Sequence, residues 1–137
     1  MGLAWTICAL ALLAGALLGA RALLKPHWAA RFVRLTPDHQ GGGFAEFRAT
    51  YGGVFLGAHA AALLFTLVWL YTEEYSLGVL ATGASAVLAA AWVGSAFGRG
   101  LSMLSDNTRT RFNTYSAVVE VVLGLAIGAP WLVWLLG

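Results

Sequence analysis

The fold is decided by long apolar runs such as residues 115–136, YSAVVEVVLGLAIGAPWLVWLL, in which Glu120 is the one charged residue. Three similar runs precede it, at about 2–24, 50–71 and 77–97. Each is close to the ~20 residues that a helix needs to cross the ~30 Å hydrocarbon core of a bilayer. The sequence therefore predicts four membrane-spanning helices within a single domain that covers residues 1–137.

The composition of the whole chain supports a membrane protein. Of its 137 residues 60% are hydrophobic and 10% are charged, with a mean hydropathy of +0.78, whereas about a quarter of the residues in a soluble domain are charged. The apolar runs are continuous and lack the alternation of barrel strands, so we expect an all-α, four-helix bundle. Cys8 is the one cysteine, which excludes a disulfide scaffold and a cysteine-based metal site.

The basic residues predict the orientation of the helices in the membrane. All eight fall in or beside the first and third connections: Arg21, Lys25, Arg31, Arg34 and Arg48, then Arg99, Arg109 and Arg111. The positive-inside rule places these connections in the cytoplasm, which puts both termini outside. The net charge of +2 reflects this topology and does not point to nucleic-acid binding.

The first connection contains a candidate for a short interfacial helix. Pro26 can open a helix that ends before Pro37. In it Trp28, Phe32 and Leu35 would share one face, which suits a helix lying at the inner membrane surface with its arginines among anionic headgroups. An ordered loop without a helix is the alternative.

Each predicted span carries two glycines four residues apart. Small residues at this spacing let two helix backbones approach closely, which matters in lipid because no hydrophobic force drives helices together there. We expect these glycines either to pack the bundle or to contact a neighbouring subunit. They are Gly15 and Gly19, Gly53 and Gly57, Gly94 and Gly98, and Gly124 and Gly128.

Glu120 is the ionisable residue that most needs a partner. It lies about five residues into the fourth run, where an isolated carboxylate would cost several kcal/mol. Arg48 and Arg99 lie at the predicted cytoplasmic ends of the second and third runs, at a level comparable to that of Glu120. The helical phase therefore predicts a polar cluster of these three side chains. We expect Glu46 and Asp106 near its mouth and His59 deeper in the bundle.

This cluster has more than one chemical interpretation. It can be an ion pair that fixes helix register, a site for an anionic ligand or lipid headgroup, or a proton-responsive site in which Glu120 and His59 change charge. A bis-histidine haem is not supported, because His59 is the one histidine within a span. Catalytic and metal-binding motifs do not occur, so we expect no catalytic residue, metal or cofactor.

Two motifs and one acidic residue resemble a known family. The motifs are Glu46-Phe47-Arg48-Ala49-Thr50-Tyr51-Gly52-Gly53 followed by Gly57, and Gly98-Arg99 with Leu101-Ser102 and Asp106. Together with Glu120 they resemble the small bacterial membrane proteins catalogued as domain of unknown function 4345. The resemblance implies a four-span inner-membrane protein and adds Tyr51 and Ser102 to the candidate site, but it brings no activity. Asn107 stands where the family pattern has Gly.

Two functions remain open at this point. The first is a non-enzymatic accessory subunit that binds another membrane protein, or a second copy of itself, through its glycine faces within the lipid bilayer. The second is binding or transport of a small amphiphile or anion in a polar pocket open to the cytoplasmic leaflet, built from Arg48, Arg99 and Glu120.

Overall fold

The computed structural model describes residues 2–40 and 42–136, and within these ranges the chain is all-α. Its helices are α1 Gly2–Leu24, α2 Pro26–Val33, α3 Gly42–Thr72, α4 Tyr75–Ser105, α5 Arg111–Ile127 and α6 Ala129–Leu136. The first predicted run coincides with α1, whereas α3 and α4 extend beyond the predicted runs 50–71 and 77–97 because polar turns at their ends are also helical.

Three of these helices, α1, α3 and α4, are long and apolar enough to cross a membrane. The fourth predicted run is divided into α5 and α6, which meet at an angle of 61° and make a fourth span if they are counted together. These lengths and compositions indicate a membrane protein with a helical bundle.

The bend between α5 and α6 has a local cause. Pro130 has no backbone N–H to donate to the carbonyl four residues before it, and its ring disfavours a straight helix. The α5 helix ends at Ile127 and is capped by Gly128, whose N–H donates to the carbonyl of Gly124 at 2.9 Å. Pro130 then lies in the first turn of α6, where a missing N–H costs little.

The short helix predicted in the first connection is present as α2. Pro26 occupies its first turn, and the helix ends at Val33 with Arg34 as its C-cap, which is left-handed with φ 61°. Ala29 and Ala30 are buried against Phe47, while Phe32 is half exposed. The helix therefore uses its small residues for packing within the protein, and its position at a membrane surface stays a prediction.

The α3 helix contains a π-helical segment at Phe47–Val54, directly after its first turn, which the sequence analysis did not predict. A π-helix is wider than an α-helix and is rare, and it often marks a functional or strained position. Most of the strongest sequence motif, including Arg48, Tyr51 and Gly52, lies in this segment.

The chain divides into two compact units, each with its own buried residues. One unit consists of the chain up to Ala11 and from Phe65 onward, and it contains the α4–α5 hairpin. Its buried side chains include Trp5, Cys8 and Ile127. The other unit is Leu12–Leu64, in which Ala22, Ala29, Ala30 and Phe47 form an apolar core.

The predicted packing glycines fall into two groups. Close contacts surround Gly15, Gly19, Gly124 and Gly128: an added Cβ would meet His59 at Gly15, the Leu56 backbone at Gly19, and side chain or backbone of α4 at the last two. At Gly57, Gly94 and Gly98 a Cβ would meet no described atom within 4 Å, and at Gly53 it would meet only the Arg48 carbonyl of the same helix, at 3.5 Å. These four glycines therefore do not pack closely against another described helix, and contact with a neighbouring subunit stays a prediction for them.

Replacing Gly19 by alanine tests the close approach of α1 to α3. The new Cβ would lie 2.5 Å from the backbone nitrogen of Leu56, so the two helices must separate, and we expect a loss of about 1–3 kcal/mol in stability. Gly57→Ala is the matched control, because its Cβ enters open space and alanine has the higher helix propensity. Thermal unfolding in detergent should show a lower Tm for Gly19→Ala only. Equal Tm values would contradict the contact.

Candidate functional site

Glu120 forms the centre of a polar cluster between α4 and α5. The residue is 7% exposed, although it lies on an apolar helix. Its Oε1 accepts from Nη2 of Arg99 at 2.6 Å, and its Oε2 accepts from Nε of Arg99 at 3.1 Å. Ser95 Oγ also donates to Oε1, at 3.0 Å. The predicted pairing of Glu120 with Arg99 is therefore present, with both carboxylate oxygens satisfied.

Geometry explains why arginine fills this position. The two parallel N–H···O bonds match the guanidinium fork to the carboxylate plane, which lysine cannot do. The Arg99 side chain is 30% exposed, whereas that of Glu120 is 9% exposed. The pair therefore neutralises the buried carboxylate while part of the guanidinium still reaches the surroundings.

The cluster continues along α5 into the connection between the two helices. Arg99 Nη1 donates to Asn113 Oδ1 at 3.4 Å, and Asn113 Nδ2 donates to the carbonyl of Thr108 at 2.7 Å. The Thr108 hydroxyl lies 3.0 Å from that of Ser102, so this candidate residue is joined to the same network. Thr110 caps α5 by accepting from the backbone N–H of Asn113 at 3.2 Å.

The turn that closes the hairpin depends on Asp106 and Asn107. The backbone N–H of Asp106 donates to the carbonyl of Ser102 at 2.9 Å, and its Oδ1 accepts from Ser105 at 3.2 Å. Asp106 is exposed and occupies the C-cap position of α4. Asn107 is left-handed with φ 55°, which asparagine tolerates better than other residues with a Cβ. The departure from Gly at this position is thus compatible with the turn.

Arg48 belongs to the other unit and has a partner there. Its Nη1 donates to the carbonyl of Leu23 at 2.5 Å, one of the last carbonyls of α1, which have no partner within that helix. Gly52 permits this approach, because a Cβ at that position would lie 2.7 Å from the Cα of Leu23. Arg48 and Gly52 therefore join the end of α1 to the π-helical segment.

The remaining candidate residues also lie in the unit Leu12–Leu64. Glu46 is exposed and accepts from the Thr50 hydroxyl at 3.4 Å. The ring of Tyr51 is 5.5 Å from that of Phe47. His59 is 1% exposed, its Nδ1 lies 2.8 Å from the carbonyl of Phe55, and its ring packs 4.4 Å from that of Phe55.

Several residues of the network were missed from the sequence. Asn113 lies seven residues before Glu120 and so shares its helix face, and Thr110 stands three residues before Asn113 as an N-cap. These two spacings could have identified them. Thr108 contributes a backbone carbonyl, which no side-chain pattern reveals.

The arrangement favours a structural role for the pair over an anion site. Three of the five N–H groups of Arg99, one each on Nε, Nη1 and Nη2, donate to Glu120 or Asn113. Among the described residues, no three His, Cys, Asp or Glu side chains converge on a point that could hold a metal ion.

Comparisons of the chain with protein-family models, with curated proteins and with solved structures gave no match.

Glu120→Gln tests whether the pair stabilises the fold. It removes the negative charge and leaves the Arg99 guanidinium without its counter-ion, so we expect a loss of about 1–3 kcal/mol, less than for a fully buried pair. Thermal unfolding in detergent measures the change. Glu46→Gln is the control, because that carboxylate is exposed and makes one long hydrogen bond.

A double variant separates the pair from general disruption. In Arg99→Met, Glu120→Leu both charges are absent, and we expect its stability to exceed that of Glu120→Gln. Stability of Glu120→Gln equal to wild type would show that the pair does not hold α4 and α5 together.

Proposed function

We propose that this chain is a non-enzymatic membrane subunit that associates with a second copy of itself through one face of α4. The observation that carries the proposal is that Gly94 and Gly98, four residues apart on α4, both face open space. The equivalent pair Gly124 and Gly128 is covered by α4. One small-residue motif therefore serves the fold, and the other is available to a partner.

The surface around Gly94 and Gly98 suits a helix. Val87 and Leu101, seven residues before and after Gly94, lie on the same face of α4 and are 71% and 54% exposed. Two small residues four apart let the backbones of two helices cross closely, so this exposed face can accept a second helix.

A second copy is the occupant that the motif favours. Close crossing at such a motif requires small residues on both helices, and a two-fold interface supplies the same glycines from each copy. From the basic connections and the resemblance to small bacterial inner-membrane proteins, we further propose that the protein lies in a bacterial inner membrane with both termini outside.

Bulky substitution on this face tests the association. We expect wild-type protein to be a dimer in mild detergent and Gly94→Leu, Gly98→Leu to dissociate at least about tenfold more readily, a change of ~1.4 kcal/mol. Analytical ultracentrifugation over a range of protein-to-detergent ratios gives the dissociation constants.

Gly100→Leu is the matched control for this experiment. Gly100 is also open, but it lies about 200° around α4 from Gly98, so it should leave the dimer intact. A wild-type protein that stays monomeric at every ratio, or a double variant as dimeric as wild type, would contradict the proposal.

A further inference from the structure

We propose that the end of the unit opposite the Arg99–Glu120 pair binds a hydrophobic organic cation, such as a quaternary ammonium group with apolar substituents. A cavity of about 520 Å³ lies there, within the unit that contains the α4–α5 hairpin. Its volume is in the range of small-molecule sites. The site was not predicted from the sequence, which directed attention to the basic end.

Aromatic rings and one acidic side chain give the cavity its chemistry. The rings are those of Trp5, Trp69, Tyr75, Trp131 and Trp134, and the acidic side chain is that of Glu73. None of the described residues that line the cavity is basic. Ring faces carry partial negative charge, and tryptophan attracts cations most strongly, so rings with a carboxylate select a positive and apolar ligand.

Two of these tryptophans, Trp5 and Trp69, differ from those of an ordinary aromatic belt at a membrane interface, whereas Trp131 and Trp134 are 39% and 70% exposed. Belt side chains lie at the headgroup level around the outside of the protein. Trp5 is 6% exposed, and its ring packs 4.3 Å from that of Trp69 at an angle of 37°. These two rings are therefore directed into the protein and form a fixed wall of the cavity.

The backbone around the cavity holds this wall in place. Gly78 of α4 contacts the indole of Trp69, because a Cβ at that position would overlap Nε1 and Cδ1 of the ring. The N–H of Glu73 donates to the carbonyl of Trp69 at 2.7 Å, and Glu73 is left-handed with φ 53°. This turn places the carboxylate one helical turn beyond the indole.

Intrinsic fluorescence provides a direct measurement, because four of the six tryptophans line the cavity. We would titrate the protein in an uncharged maltoside detergent with benzyltrimethylammonium and, separately, with its uncharged isostere neopentylbenzene. We expect a saturable change in tryptophan fluorescence with the cation, and at least about fivefold weaker binding of the isostere. A fluorescence change that is linear in the concentration of both compounds, or equal affinities for the two, would overturn the proposal.

Paired variants locate the binding. Glu73→Gln and Trp131→Leu should each weaken binding of benzyltrimethylammonium about fivefold, since each removes one attraction for the cation. Glu74→Gln and Tyr71→Leu are the controls, because neither residue lines the cavity and both are exposed. Equal losses in variants and controls would overturn the assignment.

Two further arms identify the source of the cation and separate this proposal from self-association. Protein in nanodiscs of phosphatidylcholine, compared with phosphatidylglycerol, shows whether a lipid headgroup competes: suppressed binding in phosphatidylcholine assigns the site to a headgroup, and equal binding assigns it to a free cation. The Gly94→Leu, Gly98→Leu protein should bind the cation like wild type, because neither glycine lines the cavity. Loss of binding in that protein would overturn a site contained in one chain.

Discussion

The constraint on which the hairpin of α4 and α5 depends is that a carboxylate within an apolar helix needs a counter-charge. Glu120 obtains it from Arg99, twenty-one positions earlier, with two parallel hydrogen bonds and a third from Ser95. The pairing fixes the register of the two helices, because a slip of one residue would turn the carboxylate about 100° away from the guanidinium. The close contact of Gly124 with α4 lies one turn further along the same face.

A second satisfied polar group has the same importance in the unit Leu12–Leu64. There the group that needs a hydrogen-bond partner is a backbone carbonyl, because the last carbonyls of α1 have no partner within the helix. Arg48 donates to one of them from a π-helical segment, and Gly52 allows the two chains to touch. Two of the three charges that the sequence singled out are thus engaged with each other, and the third is engaged with main chain.

Much of the fold follows from the sequence, since apolar length and Pro26 locate α1, α2, α3 and α4. The pairing of Glu120 with Arg99 was also predictable, because the depth of a carboxylate in the membrane and its position on the helix face leave it few possible partners. The π-helical segment was not predictable, because no pattern of residue types indicates one. Pro130 could have indicated the bend between α5 and α6, but not its angle of 61°. Glycine spacing likewise identifies helix faces that permit close contact, but it does not tell which face, that of Gly94 or that of Gly124, is used internally.

The bond from Arg48 to the carbonyl of Leu23 also has a consequence for biosynthesis. The donor is made twenty-five residues after the acceptor, so α1 is complete on the ribosome well before its terminal carbonyl can be capped by this side chain. Until then water or lipid headgroups must donate the hydrogen bond to that carbonyl. The end of the first helix therefore reaches its final form only when the start of the third has emerged, which couples the maturation of the two segments during translation.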